Sequence, residues 1–194
     1  MDVLLAIFLG IGLSAACGFR VFVPFLVMSV TKLSGQLEVA PGFDWVGTWP
    51  AFIALLVATI TEIAAYYIPW VDNALDTIAT PAAAVAGAIA SSSAVTDLSP
   101  FLEWMIAIIG GGVVTTVQVS TVVLRGVSTG TTGGFANPVI ATSELAGSTI
   151  TSVVSIIVPA VAVALIAAGV VVAALIFKRK LASLKSEPAD HASR

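Results

Sequence analysis

The chain has 194 residues, 58% of them hydrophobic and 10% charged, with a mean hydropathy of +1.08. A water-soluble domain carries roughly 25% charged residues, so a soluble globular fold is excluded. A net charge of −3, one cysteine and one histidine, His191 in the polar tail, leave no electrostatic footprint for nucleic acid and exclude an internal disulfide, a cysteine-based zinc site and a CxxC pair. The remaining class is an all-α polytopic membrane protein, because several apolar runs exceed the roughly 18 residues of a spanning helix and the length allows about five spans.

The first run, Val3 to Val30, is 28 residues long. At about 1.5 Å per residue it would cover ~42 Å, against a hydrocarbon layer near 30 Å. It must tilt strongly or break, and Gly18 with Pro24 marks the place. Ser14-Ala15-Ala16-Cys17 resembles a lipoprotein cleavage box. The segment before it lacks a positive charge and the run continues apolar past it, so an uncleaved first helix is the better reading.

Residues 31–49 read as a polar loop with Lys32, Glu38 and Asp44, where Trp45 and Trp49 suit the interface. The second span runs over about 50–69, with Tyr66, Tyr67 and Trp70 as an aromatic belt at its exit. Asp72, Asp76 and Thr80 then recur every four residues on one face of a short amphipathic stretch. Thr80 reads as the N-cap of a third span, about 81–98, with Pro81 at its first position. Ala83, Gly87 and Ser91 repeat within that span in the small-xxx-small pattern of close helix approach. A fourth span, about 101–125, carries Gly110-Gly111-Gly112, and Gly111, Thr115, Gln118 and Arg125 share a face. Residues 126–148, rich in Gly, Ser and Thr, read as a long polar loop, either re-entrant or outside the membrane. The last run, about 150–177, is over-long like the first and contains Pro159. It ends at Lys178-Arg179-Lys180, and residues 178–194 read as a disordered tail.

By the positive-inside rule this basic cluster places the tail in the cytoplasm. Five crossings then put the N-terminus outside, loop 31–49 inside and the Asp72/Asp76 loop outside. A first run folded as a hairpin would alter the count.

Arg20 and Glu62 stand well inside apolar runs, where an ionised group costs about 2.5–3.5 kcal/mol on insertion scales. Measured from their shared connection they lie about 15 and 18 Å deep, so neighbouring antiparallel helices would bring them to one level. An Arg20–Glu62 ion pair follows as the expectation, either as a register device or as part of a ligand site. Gln118 reads as interhelical glue or as a site residue, the glycine triplet as a packing notch or as an unwound ion site, and Asp72 with Asp76 as a solvated face or a cation-collecting mouth. No catalytic motif is present, no metal or cofactor is implied, and Glu62 with Tyr66 at i+4 is the one pairing suited to acid–base chemistry.

These residues resemble a bacterial membrane-protein family known as domain of unknown function 4126. The resemblance rests on Gly18-Phe19-Arg20 with Pro24, on Glu62 followed by Pro69, Asp72 and Asp76, and on Pro81 and Gly87. It continues with Gly111-Gly112 ahead of Arg125 and with Asn137-Pro138 ahead of Glu144. The family pattern has His and Lys where Gln118 and Thr121 stand here, and an acid in place of Leu145. The resemblance implies no activity, but it adds Asn137 and Glu144 to the candidates Arg20, Glu62, Asp72, Asp76, Gln118 and Arg125. The resulting expectation is a multi-pass inner-membrane homo-oligomer that binds or passes a small solute or ion. The competing expectation is a structural or assembly protein whose buried polar residues only fix helix packing.

Overall fold

The computed structural model of the protein describes residues 3–95 and 98–185, without the side chains of some helical positions, Asp72 among them. All regular structure among these residues is helical: α1 (Val3–Cys17), α2 (Phe22–Leu33), a short 3-10 turn (Asp44–Gly47), α3 (Trp49–Tyr66), α4 (Pro69–Ser93), α5 (Pro100–Thr132), α6 (Asn137–Ile157) and α7 (Pro159–Lys185). The chain divides into two compact units, Met1–Val163 and Ala164–Arg194. In the second unit the described residues are helical as far as Lys185, and Lys178 and Arg179 are exposed. The expected disordered tail falls partly on this helix, and its residues 186–194 lie outside the described ones.

In the first unit the long first run does not cross the bundle. Gly10 of α1 lies against Ser91 near the end of α4, where an added Cβ would stand 2.7 Å from the Ser91 carbonyl oxygen. Ala40, beyond α2, donates its N–H to the Ser93 carbonyl at 2.8 Å. Both ends of this segment therefore meet the same end of α4. If α2 continued the direction of α1, its last residue would lie roughly 40 Å from Ser93, and the chain from 34 to 40 reaches at most about 25 Å. α1 and α2 are the two arms of a helical hairpin with Gly18–Val21 at its tip. The tip closes through the Gly18 and Phe19 N–H groups, which donate to the Ala15 and Ala16 carbonyls at 3.0 and 3.1 Å.

α1 is enclosed by α4, α5 and α6, and the residue pairs in contact fix their directions. Gly10 meets Ser91 while Gly87 meets Ser14, so α4 is antiparallel to α1. Ser14 donates to the Gly110 carbonyl at 2.6 Å and Gly18 meets Val114, so α5 runs parallel to it. Ser148 donates to the Ala16 carbonyl at 2.9 Å and Gly12 meets Ser155, so α6 is antiparallel. Small residues make these approaches possible: a Cβ on Gly110 would fall 2.7 Å from the Gly87 carbonyl oxygen, and one on Gly18 2.8 Å from that of Val114. α5 is helical through Gly110–Gly112, so Gly110 is a packing notch and no unwound turn occurs there. α2 packs on α3, α6 and the 3-10 turn, where Ser29 donates to the Val46 carbonyl at 2.7 Å.

Trp49–Tyr66, Ala74–Ser93, Pro100–Thr132 and Asn137–Ile157 are long and apolar enough to cross a membrane, and shorter apolar helices accompany them. Their outer faces present Ile53, Val57, Ile60, Ile108, Val123, Leu124 and Ile150, as lipid contact requires. The protein is a multi-pass integral membrane protein. Trp45, Trp49 and Trp104 are exposed at the end of the bundle where the hairpin begins, a level suited to an aromatic belt.

Three expected boundaries differ from the structure. Pro81 lies inside α4, which starts at Pro69 and takes in the Asp72/Asp76 stretch. Residues 126–148 are not a loop. α5 continues to Thr132, two glycines with φ of +64° and +88° at 133 and 134 turn the chain, and α6 starts at Asn137. The last apolar run is divided at Val158, ahead of Pro159.

Candidate functional site

The hairpin tip leaves helical geometry for a few residues, and Arg20 projects from it into the bundle, 1% exposed. α2 restarts immediately after it, and the first N–H groups of a helix have no intrahelical acceptor. Glu62 of α3 supplies one: its carboxylate accepts from the Val21 N–H at 2.8 Å and the Phe22 N–H at 3.1 Å. A carboxylate at a helix N-terminus also complements the helix dipole. Glu62 therefore holds the backbone next to Arg20 in place and does not pair with its guanidinium.

The carboxylate beside Arg20 is Glu144 of α6. Arg20 Nη2 lies 3.4 Å from Glu144 Oε2 and donates to the Ala141 carbonyl at 3.0 Å. The expected Arg20–Glu62 ion pair is thus replaced by one to Glu144, although the two residues do come to one level. Glu144 is shared with Arg125 of α5, whose Nε donates to Oε1 at 3.1 Å and whose Nη2 donates to Oε2. This side-on, two-point geometry is the strong form of the arginine–carboxylate pair. Arg125 Nη1 donates in turn to Asp76 Oδ1 of α4 at 2.5 Å. Tyr66 of α3 completes the group, its ring centroid 3.9 Å from Arg20 Cζ and 4.1 Å from Arg125 Cζ.

Among the described side chains, two guanidinium groups and three carboxylates from the tip, α3, α4, α5 and α6 thus meet at one level. When ionised they sum to −1. Arg125 is fully engaged, and each carboxylate accepts hydrogen bonds. Arg20 is different: its Nε and Nη1 are buried without a hydrogen-bond partner among the described residues. Such donors cost about 1–3 kcal/mol each when left unsatisfied, more when charged. Along α3 and α5 the cluster stands roughly 20–30 Å from the tryptophan level, in the far part of the hydrocarbon layer. Asp76 of α4 keeps 11% of its side chain exposed.

The remaining candidates stand apart. Gln118 is buried on the face of α5 that carries Arg125, about two turns away, and no hydrogen bond among the described residues joins its side chain to the cluster. Asn137 donates to Thr129 Oγ1 at 3.2 Å and ties the start of α6 to the end of α5. The side chain of Asp72 lies outside the described residues. Tyr66 reads from the sequence both as part of an interfacial belt and, at i+4, as a neighbour of Glu62, and it is the second of these positions that brings it into the cluster.

A family model described as "Domain of unknown function (DUF4126)" matches residues 7–179. Neither the curated proteins nor the solved structures yield a match.

Proposed function

The chain belongs to the DUF4126 family, which brings no activity with it, and from the cluster itself we propose that the protein binds a small solute or ion and passes it across the membrane. The observation that carries this reading is Arg20, an arginine enclosed at a hairpin tip with donors that the fold leaves unused. A residue kept only for helix register would be cheaper as a satisfied group, because a buried charge is costly wherever its hydrogen bonds are incomplete. The hairpin supports the same reading. It fills the bundle from the tryptophan end, so its tip separates the cluster from that side, and Asp76 faces the other.

The reading is non-enzymatic and uses no cofactor. A hairpin arm and closely packed small-residue helices leave little room for a pathway through one subunit, so the protein is expected to act as a homo-oligomer in the cell membrane, with the basic tail on the cytoplasmic side. One observation favours the competing structural role: Arg125, Glu144 and Asp76 form a closed network that would by itself clamp α4, α5 and α6. Swelling of proteoliposomes in a panel of small neutral and ionic solutes separates the two. Vesicles with the wild-type protein should swell faster in at least one solute than vesicles with equal amounts of Arg20→Ala. Rates equal to those of empty vesicles throughout would overturn transport.

A further inference from the structure

The chemistry of the unused donors narrows what can sit beside Arg20. Nη2 is occupied by Ala141 and Glu144, which leaves the Nε–H and both Nη1 protons free. All three are donors, and guanidinium has no acceptor. The occupant must therefore offer acceptor oxygens, which excludes an inorganic cation and an ammonium group. Nε and Nη1 lie on different edges of the guanidinium, so the contact cannot be the two-point fork that Arg125 makes with Glu144. It takes a small group with oxygens directed to more than one side.

Charge sets the second constraint. Arg20 is faced by Glu144 of α6, Arg125 of α5 and Glu62 and Tyr66 of α3, and Asp76 of α4 joins the group through Arg125. With these groups ionised the site is at −1, and a bare anion would bring it to −2 away from water. Uncompensated charge is the most expensive thing to place there. A proton arriving with the anion, on the ligand or on one of the three carboxylates, keeps the total at −1.

We propose that Arg20 at the hairpin tip is the binding site for a small singly charged oxyanion, of the carboxylate, nitrate or dihydrogen-phosphate kind, that enters together with a proton. This rests on the transport reading for its purpose but not for its test, which is binding.

The test uses the full chain purified in detergent. Melting temperature is measured with formate, nitrate or inorganic phosphate at fixed ionic strength, against tetramethylammonium and urea as controls. At least one oxyanion should stabilise the wild type and neither control should do so. Arg20→Lys keeps a cation for Glu144 but loses the free Nε and Nη1 donors, so the same oxyanion should bind on the order of tenfold or more weakly to it. Calorimetric titrations in two buffers of different ionisation enthalpy count the protons, and about one should be taken up per anion bound.

No stabilisation by any of the three oxyanions, or equal binding to wild type and Arg20→Lys, overturns the site. Binding without proton uptake overturns the coupling. Stabilisation by short-chain phosphatidylglycerol but by none of the free ions overturns a free ion as the occupant and gives the site to a lipid headgroup. Oxyanion binding without vesicle swelling would sink the transport reading alone, whereas swelling without oxyanion binding would sink this one.

Discussion

Glu144 is the carboxylate that two guanidinium groups share, so its loss should be the most damaging single change in the cluster. Glu144→Leu leaves Arg20 without its ion-pair partner and Arg125 with Asp76 alone, and a loss of about 3–5 kcal/mol is expected by analogy with broken buried pairs in soluble proteins. Double-mutant cycles of detergent-unfolding free energies should show coupling of about 0.5–3 kcal/mol for Arg125 with Glu144 and for Arg20 with Glu144. The Arg20–Glu62 cycle should give the smallest value, because Glu62 bonds to backbone N–H groups. If that cycle gives the largest coupling, the assignment of partners is wrong. Tyr66→Leu should cost roughly 1–2 kcal/mol or more, since each desolvated guanidinium–ring contact is worth on that order. The nearness of Arg20 and Glu62 was legible from their depths alone. The pairing was not, because Glu144 stands in a segment whose Gly, Ser and Thr content imitates a loop.

That misreading has a physical cause at the level of the helix. A hydroxyl side chain can return its proton to a carbonyl one turn back, so a Ser/Thr-rich stretch need not expose any polar group. Thr131 donates to Val127, Thr142 to Pro138, Thr149 to Leu145 and Ser152 to Ser148, at 2.7–2.8 Å. Composition counts these residues as polar, whereas the helix makes them fit for lipid or for a packed interface. Pro81 misled in the opposite sense, as a start signal that stands in mid-helix. The small-residue repeat in α4 was legible, and its members Ala83, Gly87 and Ser91 do face the packed interior. The glycines of α5 give two predictions of opposite sign. Gly110→Ala should destabilise by about 1–3 kcal/mol, because the added methyl meets backbone that cannot turn aside. Gly112, with nothing within 4 Å, should accept Ala with a gain of up to ~1 kcal/mol from helix propensity. Thermal unfolding of the two variants in one detergent checks both. Equal effects would mean that α4 and α5 are not in this register.

For the whole bundle, the hairpin places the start of α1 and residues 34–48 at the same end. The sequence reading treated the first run as one crossing and put these segments on opposite sides, because its excess length shows that the run breaks but not which way it turns. Single cysteines placed at an N-terminal extension and at Gly42 should react with an impermeant maleimide from the same side of the membrane, with the buried native Cys17 silent. Labelling from opposite sides would refute the hairpin. A C-terminal reporter active only on the non-cytoplasmic side would separately refute the placing of the Lys178–Lys180 cluster.

The position of Glu144 relative to Arg20 has a consequence for how the protein is made. Arg20 leaves the ribosome early, in the element that ends up most enclosed, and the carboxylate beside it follows more than a hundred residues later. At about 5–20 residues per second that interval is roughly 6–25 s. During it the hairpin is a membrane segment with an uncompensated cation, held at the insertion machinery or snorkelling at the interface until α6 arrives. Nascent chains stopped before residue 144 should therefore remain extractable from the membrane or be degraded, and chains stopped after α6 should be retained. α6, which brings Glu144, thus acts as the signal that the hairpin has been accepted.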